Sequence, residues 1–139
     1  MPRMNYNIRG LYFNTLNPKP KGVVYVLFTT WCKPCVKGID ALNAHASQLA
    51  DADVHVVLLN YKEDSKTLHP WLTARRLPKA FTIVLDEWGT ESIKLGLQGA
   101  NGTARLPLTV VTNHAGIVTA IFGEEGPDYV AHVIKAVQE

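Results

Sequence analysis

Residues Val23 to Thr29 form an unbroken apolar and β-branched run, and shortly after it the pattern changes to helical spacing. A continuous apolar run of that length suits a strand buried on both faces, which belongs in the middle of a sheet rather than at its edge. From Pro34 to about Ala50, Val36, Ile39, Leu42, Ala46 and Leu49 recur at three- and four-residue intervals. That spacing marks one apolar face of a helix. A buried strand feeding straight into an amphipathic helix restricts the chain to folds in which helices cover a sheet.

The rest of the chain continues the alternation. Asp51 to Asp53 closes the first helix, and Val54 to Leu59 reads as a second buried strand. His69 to Arg76 reads as a short helix with Pro70 in its first turn, where a missing N–H costs little. Phe81 to Leu85 is a third strand, Asp86 to Gly89 a turn, and Glu91 to Leu97 a helix of one or two turns. Gly99 to Arg105 is a loop. Leu108 to Thr112 and Ile117 to Phe122 flank Asn113-His114-Ala115-Gly116, a hairpin signature. A final helix follows Gly126-Pro127-Asp128 and turns Val130, Val133, Ile134 and Val137 to the core. The first 22 residues are weakly patterned, although Leu11-Tyr12-Phe13 has the character of a short edge strand. The expectation is an α/β chain: one domain over residues 1–139, with a central mixed sheet, helices on both faces and a C-terminal hairpin plus helix.

Bulk properties remove several function classes. The 139 residues carry a formal charge of +2, with basic residues scattered. The densest cluster, Arg75, Arg76 and Lys79, reads as a solvated helix face, so nucleic acid is not implied. No apolar run approaches the ~18 residues of a membrane-spanning helix. The first residues also lack the apolar stretch of a signal peptide. A soluble protein is expected, either cytoplasmic or exported with its leader left out of this sequence.

There are two cysteines, Cys32 and Cys35, separated by Lys33 and Pro34. A disulfide-stapled scaffold would use several spread pairs, and a structural zinc site would need a second ligand pair at matching spacing. The five histidines (His45, His55, His69, His114 and His132) show no such spacing. Redox chemistry is the remaining reading, with two plain core or surface cysteines as the bland alternative. Unsatisfied N–H groups and the positive end of the dipole favour an anion at a helix N-terminus, so a thiol there ionises more readily. Cys32 is expected to be the exposed nucleophile and Cys35, about one turn further in, the shielded resolving thiol. Pro34 stiffens the loop and Lys33 adds a nearby positive charge.

The segment Phe28-Thr29-Thr30-Trp31-Cys32-Lys33-Pro34-Cys35 resembles the active-site segment of thioredoxin-like proteins, especially the TlpA/ResA-type bacterial thiol-disulfide reductases. The likeness runs from about Val23 to the C-terminus. It implies a thioredoxin-like fold and a protein-disulfide reductase without cofactor or metal. It implies protein disulfide substrates, an upstream dithiol electron donor, a monomer, and a place in the bacterial periplasm or cell envelope. It also implies a cis Leu106–Pro107 bond facing the dithiol, with Leu106 offering backbone hydrogen bonds to substrate, and a Trp31 that covers the sulfurs and shapes the docking surface. Trp71 and Trp88 match no motif and are expected to pack.

Two departures stand out. The family's glutamate three residues after the second cysteine is replaced by Gly38, and the thioredoxin-type aspartate six residues before the first cysteine by Val26. Asp40 is two positions off the pattern. The same motif could also serve an oxidant or isomerase, since potentials in this fold span roughly −270 to −120 mV. A copper-binding metallochaperone of the same fold is an alternative, with His114 as the candidate distant ligand. A peroxiredoxin is a third, although Tyr25 stands where its P-x-x-x-T-x-x-C motif needs proline.

Overall fold

The computed structural model describes residues 20–94, 96–97, 105–123 and 126–139. The Leu11–Phe13 strand and most of the Gly99–Arg105 loop lie outside them. The described elements are β1 (Gly22–Phe28), α1 (Lys33–Ala44), α2 (Ala46–Asp51), β2 (Val54–Tyr61), α3 (Ser65–Ala74), β3 (Thr82–Asp86), α4 (Thr90–Lys94), β4 (Leu108–Thr112), β5 (Val118–Phe122) and α5 (Tyr129–Val137). The strands form one mixed sheet in the order β3-β2-β1-β4-β5. β1 pairs parallel to β2 from Gly22↔Val54 to Phe28↔Asn60, and antiparallel to β4 from Val23↔Thr112 to Leu27↔Leu108.

All seven residues of β1 are buried, as a central strand requires. Alternate side chains go to opposite faces. Val24, Val26 and Phe28 join Ile39 and Leu42 of α1, Leu49 of α2, Leu68 of α3 and Val133 and Val137 of α5 in one apolar cluster. Val23, Tyr25 and Leu27 join Val57, Leu59, Val110 and Leu97 in a second cluster on the other face. Among the described residues, α1, α2, α3 and α5 therefore cover the first face, and Leu97, just beyond α4, helps cover the second.

Three local readings of the sequence change. The helix expected over Pro34 to Ala50 is two helices, broken at His45 (φ −113°, ψ 27°). There the imidazole Nδ1 lies 2.9 Å from the Ala41 carbonyl, competing with the backbone for it. The third helix starts four residues before the expected His69, because Asp64 caps it by accepting from the Thr67 N–H at 3.0 Å. That bond holds the Asp64 carboxyl below its ordinary range. Pro70 consequently lies inside the helix rather than in its first turn. On α5, Ile134 is half-buried, whereas Tyr129 and Ala136 are buried.

The start of β1 sits tightly under the end of α5. A Cβ on Gly22 would press on the Thr112 carbonyl and lie 2.7 and 2.8 Å from the Val137 methyl carbons. The backbone carbonyl belongs to a paired strand and cannot swing away. Gly22→Ala is expected to destabilise the protein by about 1–3 kcal/mol, the usual cost of overpacking. The midpoint of chemical denaturation would measure it, with an unchanged midpoint refuting the close fit.

Candidate active site

β1, β2 and β3 run parallel, so their C-terminal ends lie on the same end of the sheet. The site is built there. β1 ends at Phe28, three residues follow, and Cys32 occupies the N-cap of α1. The turn is closed by the Cys32 N–H donating to the Thr29 carbonyl at 3.3 Å and the Val36 N–H to the Cys32 carbonyl at 3.0 Å. Pro34 lies in the first turn, where proline is tolerated.

Cys32 and Cys35 are joined as a disulfide with Cα atoms 5.3 Å apart. The Cys32 Sγ also accepts from the Cys35 backbone N–H at 3.4 Å. The sulfur thus takes the place a serine or aspartate oxygen takes at other helix starts, receiving one of the otherwise orphaned donors. A negative charge on that sulfur is favoured by the same N–H and by the helix dipole. Cys32 is 6% exposed and Cys35 is 1% exposed. Both sulfur residues are buried, so the difference between them is smaller than an exposed nucleophile and a shielded partner would give.

Trp31 is 71% exposed, standing out from the surface immediately before the dithiol. Lys33 is exposed and Pro34 half-buried. The Leu106–Pro107 bond is cis, and both residues are half-buried. The antiparallel register ends at Leu27↔Leu108, which puts Pro107 one step further, alongside the end of β1 that leads to Cys32. Gly38 is buried in α1 and Val26 in β1, so neither position supplies a proton-accepting side chain. Asp40 is an ion-pair partner of Arg75.

Arg75 is accordingly not part of a solvated face. Its guanidinium also lies 4.5 Å from the centroid of Trp71, which in turn packs at 5.1 Å against Phe28. Trp88, expected to pack, is 78% exposed in the turn after β3. His114 lies in the hairpin turn after Thr112, and Thr112 pairs with Val23 at the start of β1. It is therefore at the far end of the sheet from the dithiol, roughly 20 Å away at a strand's rise per residue. Among the described residues no three His, Cys, Asp or Glu side chains gather as a metal site. Nor is any helix there long and apolar enough to cross a membrane.

The residue that sequence reasoning missed is Glu63. Its carboxylate accepts from the Thr30 N–H at 2.8 Å, from the Thr30 hydroxyl at 2.7 Å and from Asn60 Nδ2 at 2.8 Å. The one available signal was Asn60, an amide directly after the apolar run Val56–Leu59. It is fully buried.

Comparison with known proteins agrees with this architecture. The AhpC/TSA family profile matches residues 11–121. The thiol:disulfide interchange protein DsbE of Haemophilus influenzae is 29% identical over 108 residues, 77% of this chain and 53% of that protein. The chain thus spans about half the length of the curated relative it matches. A secreted Mycobacterium tuberculosis disulfide oxidoreductase homologous to E. coli DsbE superimposes with a TM-score of 0.66 at 18% identity, covering 84% of this chain and 81% of the other. Mycobacterium tuberculosis AhpC superimposes with a TM-score of 0.64 at 19% identity, covering 88% and 77%. A cysteine pair at the start of the helix after the central strand of a thioredoxin-like fold, together with a profile match over most of the sequence, places the chain in the AhpC/TSA family.

Proposed function

We propose that the protein is a thiol-disulfide oxidoreductase that exchanges the Cys32/Cys35 pair with disulfides of partner proteins, in the reducing direction. The observation that carries this reading is the Cys32 sulfur capping α1 while bonded to Cys35 one turn further along. In the reduced protein the Cys32 thiolate attacks a substrate disulfide. A Cys32–substrate bond forms as the substrate S–S bond breaks, and one substrate sulfur leaves as a thiolate and takes up a proton. The Cys35 thiolate then attacks the Cys32 sulfur, closing the Cys32–Cys35 bond and expelling the second substrate thiolate, which is protonated in turn. Two electrons pass to the substrate, and the two thiol protons balance the two leaving groups. A dithiol protein returns the oxidised pair to the thiol form.

The neighbouring residues have roles in this scheme. Trp31 offers an exposed aromatic surface for docking, and Leu106 presents backbone hydrogen-bonding groups to an extended substrate strand. Pro107 borders the dithiol from the β4 side. Lys33 and Pro34 tune the pair, the first by charge and the second by stiffness. The reductase direction rests on the TlpA/ResA resemblance. A place in the bacterial cell envelope is supported by the secreted mycobacterial relative. A monomer with protein substrates completes the proposal.

The likeness to AhpC favours a second reading, a peroxidase. Tyr25, which occupies the proline position of the peroxidase motif, is buried in β1. Hydrogen peroxide consumption by the reduced protein would establish that reading against disulfide exchange.

Two results are expected. Alkylation of the reduced protein at neutral pH should modify Cys32 before Cys35, as peptide mass mapping would show, and preferential labelling of Cys35 would reverse the roles. Cys35→Ser should leave mixed disulfides with no internal thiol to release them, so that partners accumulate as covalent complexes on a non-reducing gel. Cys32→Ser should trap little. Failure of Cys35→Ser to form any mixed disulfide in its native cell would remove the main support for the exchange reading.

A further inference from the structure

The last rung of the parallel ladder between β1 and β2 is Phe28↔Asn60. Beyond it, Thr29, Thr30 and Trp31 leave the sheet before Cys32 caps α1. One side chain ties this departing segment back to β2. Glu63 Oε1 accepts from both the Thr30 N–H and Asn60 Nδ2, and Oε2 accepts from the Thr30 hydroxyl. A single carboxylate thus bridges a buried amide at the end of β2 and the middle of the three-residue lead into the dithiol.

The chain is bent to bring Glu63 there. Lys62 has φ 55°, in the left-handed region that non-glycine residues rarely adopt, and its N–H donates to the Asp86 carbonyl at 2.9 Å. The turn after β2 is therefore anchored to β3 on one side and to the dithiol lead on the other. Three donors on two oxygens also define the chemistry of Glu63. They take up three of the roughly four lone-pair sites of its carboxylate and tie both oxygens to fixed partners. The arrangement fits holding a segment in place better than moving a proton.

We propose that Glu63 is a positioning residue for thiol-disulfide exchange, fixing Thr30 so that Trp31 and Cys32 are presented to a partner disulfide in one geometry. The inference rests on the exchange reading above. Exchange needs the attacking sulfur aligned with the disulfide it opens, and such alignment is lost when a supporting bond beside it is lost. Glutamine at this position preserves the geometry: its oxygen accepts from the Thr30 N–H and Asn60, and its NH2 donates to the Thr30 hydroxyl.

The test is a single-turnover reaction of the reduced protein with a cysteine peptide carrying a thiopyridyl disulfide, followed by the absorbance of released thiopyridone from pH 5 to 9. Wild type, Glu63→Ala, Glu63→Gln and Thr30→Val are compared, with thermal melts to verify folding. Glu63→Ala should react about tenfold to a hundredfold more slowly. Glu63→Gln should stay within about threefold of wild type at every pH, and Thr30→Val, which keeps the carboxylate but loses the hydroxyl bond, should be slowed about threefold. If Glu63→Ala does not fold, Thr30→Val carries the test, and a folded Thr30→Val with the wild-type rate would then overturn the proposal. A folded Glu63→Ala with the wild-type rate would overturn the proposal. So would a Glu63→Gln as slow as Glu63→Ala, since charge rather than geometry would then matter. A wild-type protein that releases no thiopyridone would fail differently, taking down the exchange reading and this inference with it.

Discussion

The burial of β1 between two unlike neighbours controls the position of everything at the site. Its parallel partner β2 ends at the same end of the sheet, and its antiparallel partner β4 begins there. Each of the three strands therefore brings something different to the same place. β1 leads into the dithiol, β2 leads into Glu63, and β4 is preceded by Leu106-Pro107. The register is fixed because a slip of one residue would exchange the two apolar clusters and turn each strand inside out. Fully buried aliphatic and aromatic side chains are each worth about 1.5–3 kcal/mol, so the six consecutive buried side chains from Val23 to Phe28 hold that register strongly. The cysteine pair is held in place by the core it packs into.

Much of this was legible from residue spacing, and the reasons differ by element. The runs Val23–Thr29 and Val54–Leu59 announced themselves because a strand covered on both faces needs no polar alternation. The dithiol was legible because two cysteines at that spacing had a strand before them and a helix after. The break at His45 was hidden because Val36, Ile39, Leu42, Ala46 and Leu49 keep an unbroken apolar stripe across it, and periodicity records faces rather than hydrogen-bond competition. The start of α3 was hidden behind Pro70, which drew the boundary toward itself, whereas the Asp64 cap set it. Glu63 was illegible for a different reason: its bonds to Thr30 span 33 positions, and no local pattern announces a contact that distant.

The aromatic residues show the same limit. Trp71 and Trp88 carry no motif and looked equivalent in sequence. Trp71 lies on the inward side of α3, against Phe28 and under Arg75, so its ring supports the strand that ends at the site. Trp88 lies in the turn after β3 and projects. Arg75 was likewise misread from its neighbours Arg76 and Lys79. Its guanidinium pairs with Asp40 and stacks on Trp71, joining α1 to α3, whereas Arg76 beside it is exposed.

The two ends of the sheet are consequently unlike. At one end the chain closes tightly: Gly22 lies beneath Val137, and the Asn113–Gly116 turn folds β4 onto β5, with His114 set far from the sulfurs. At the other end the strands release short segments carrying Trp31, Glu63 and Trp88, and the buried Cys32 and Cys35 follow the first of them. With Val26 and Gly38 in place of carboxyl groups, the core behind Cys35 has no ionisable side chain at either family position, and in the proposed exchange the start of α1 is what would meet charge on the Cys32 sulfur. The carboxylate of Glu63 is bonded to Thr30 and Asn60. With an apolar core behind the cysteines and the segment leading to them tied to β2 through Glu63, the proposed exchange would depend on geometry more than on a resident base.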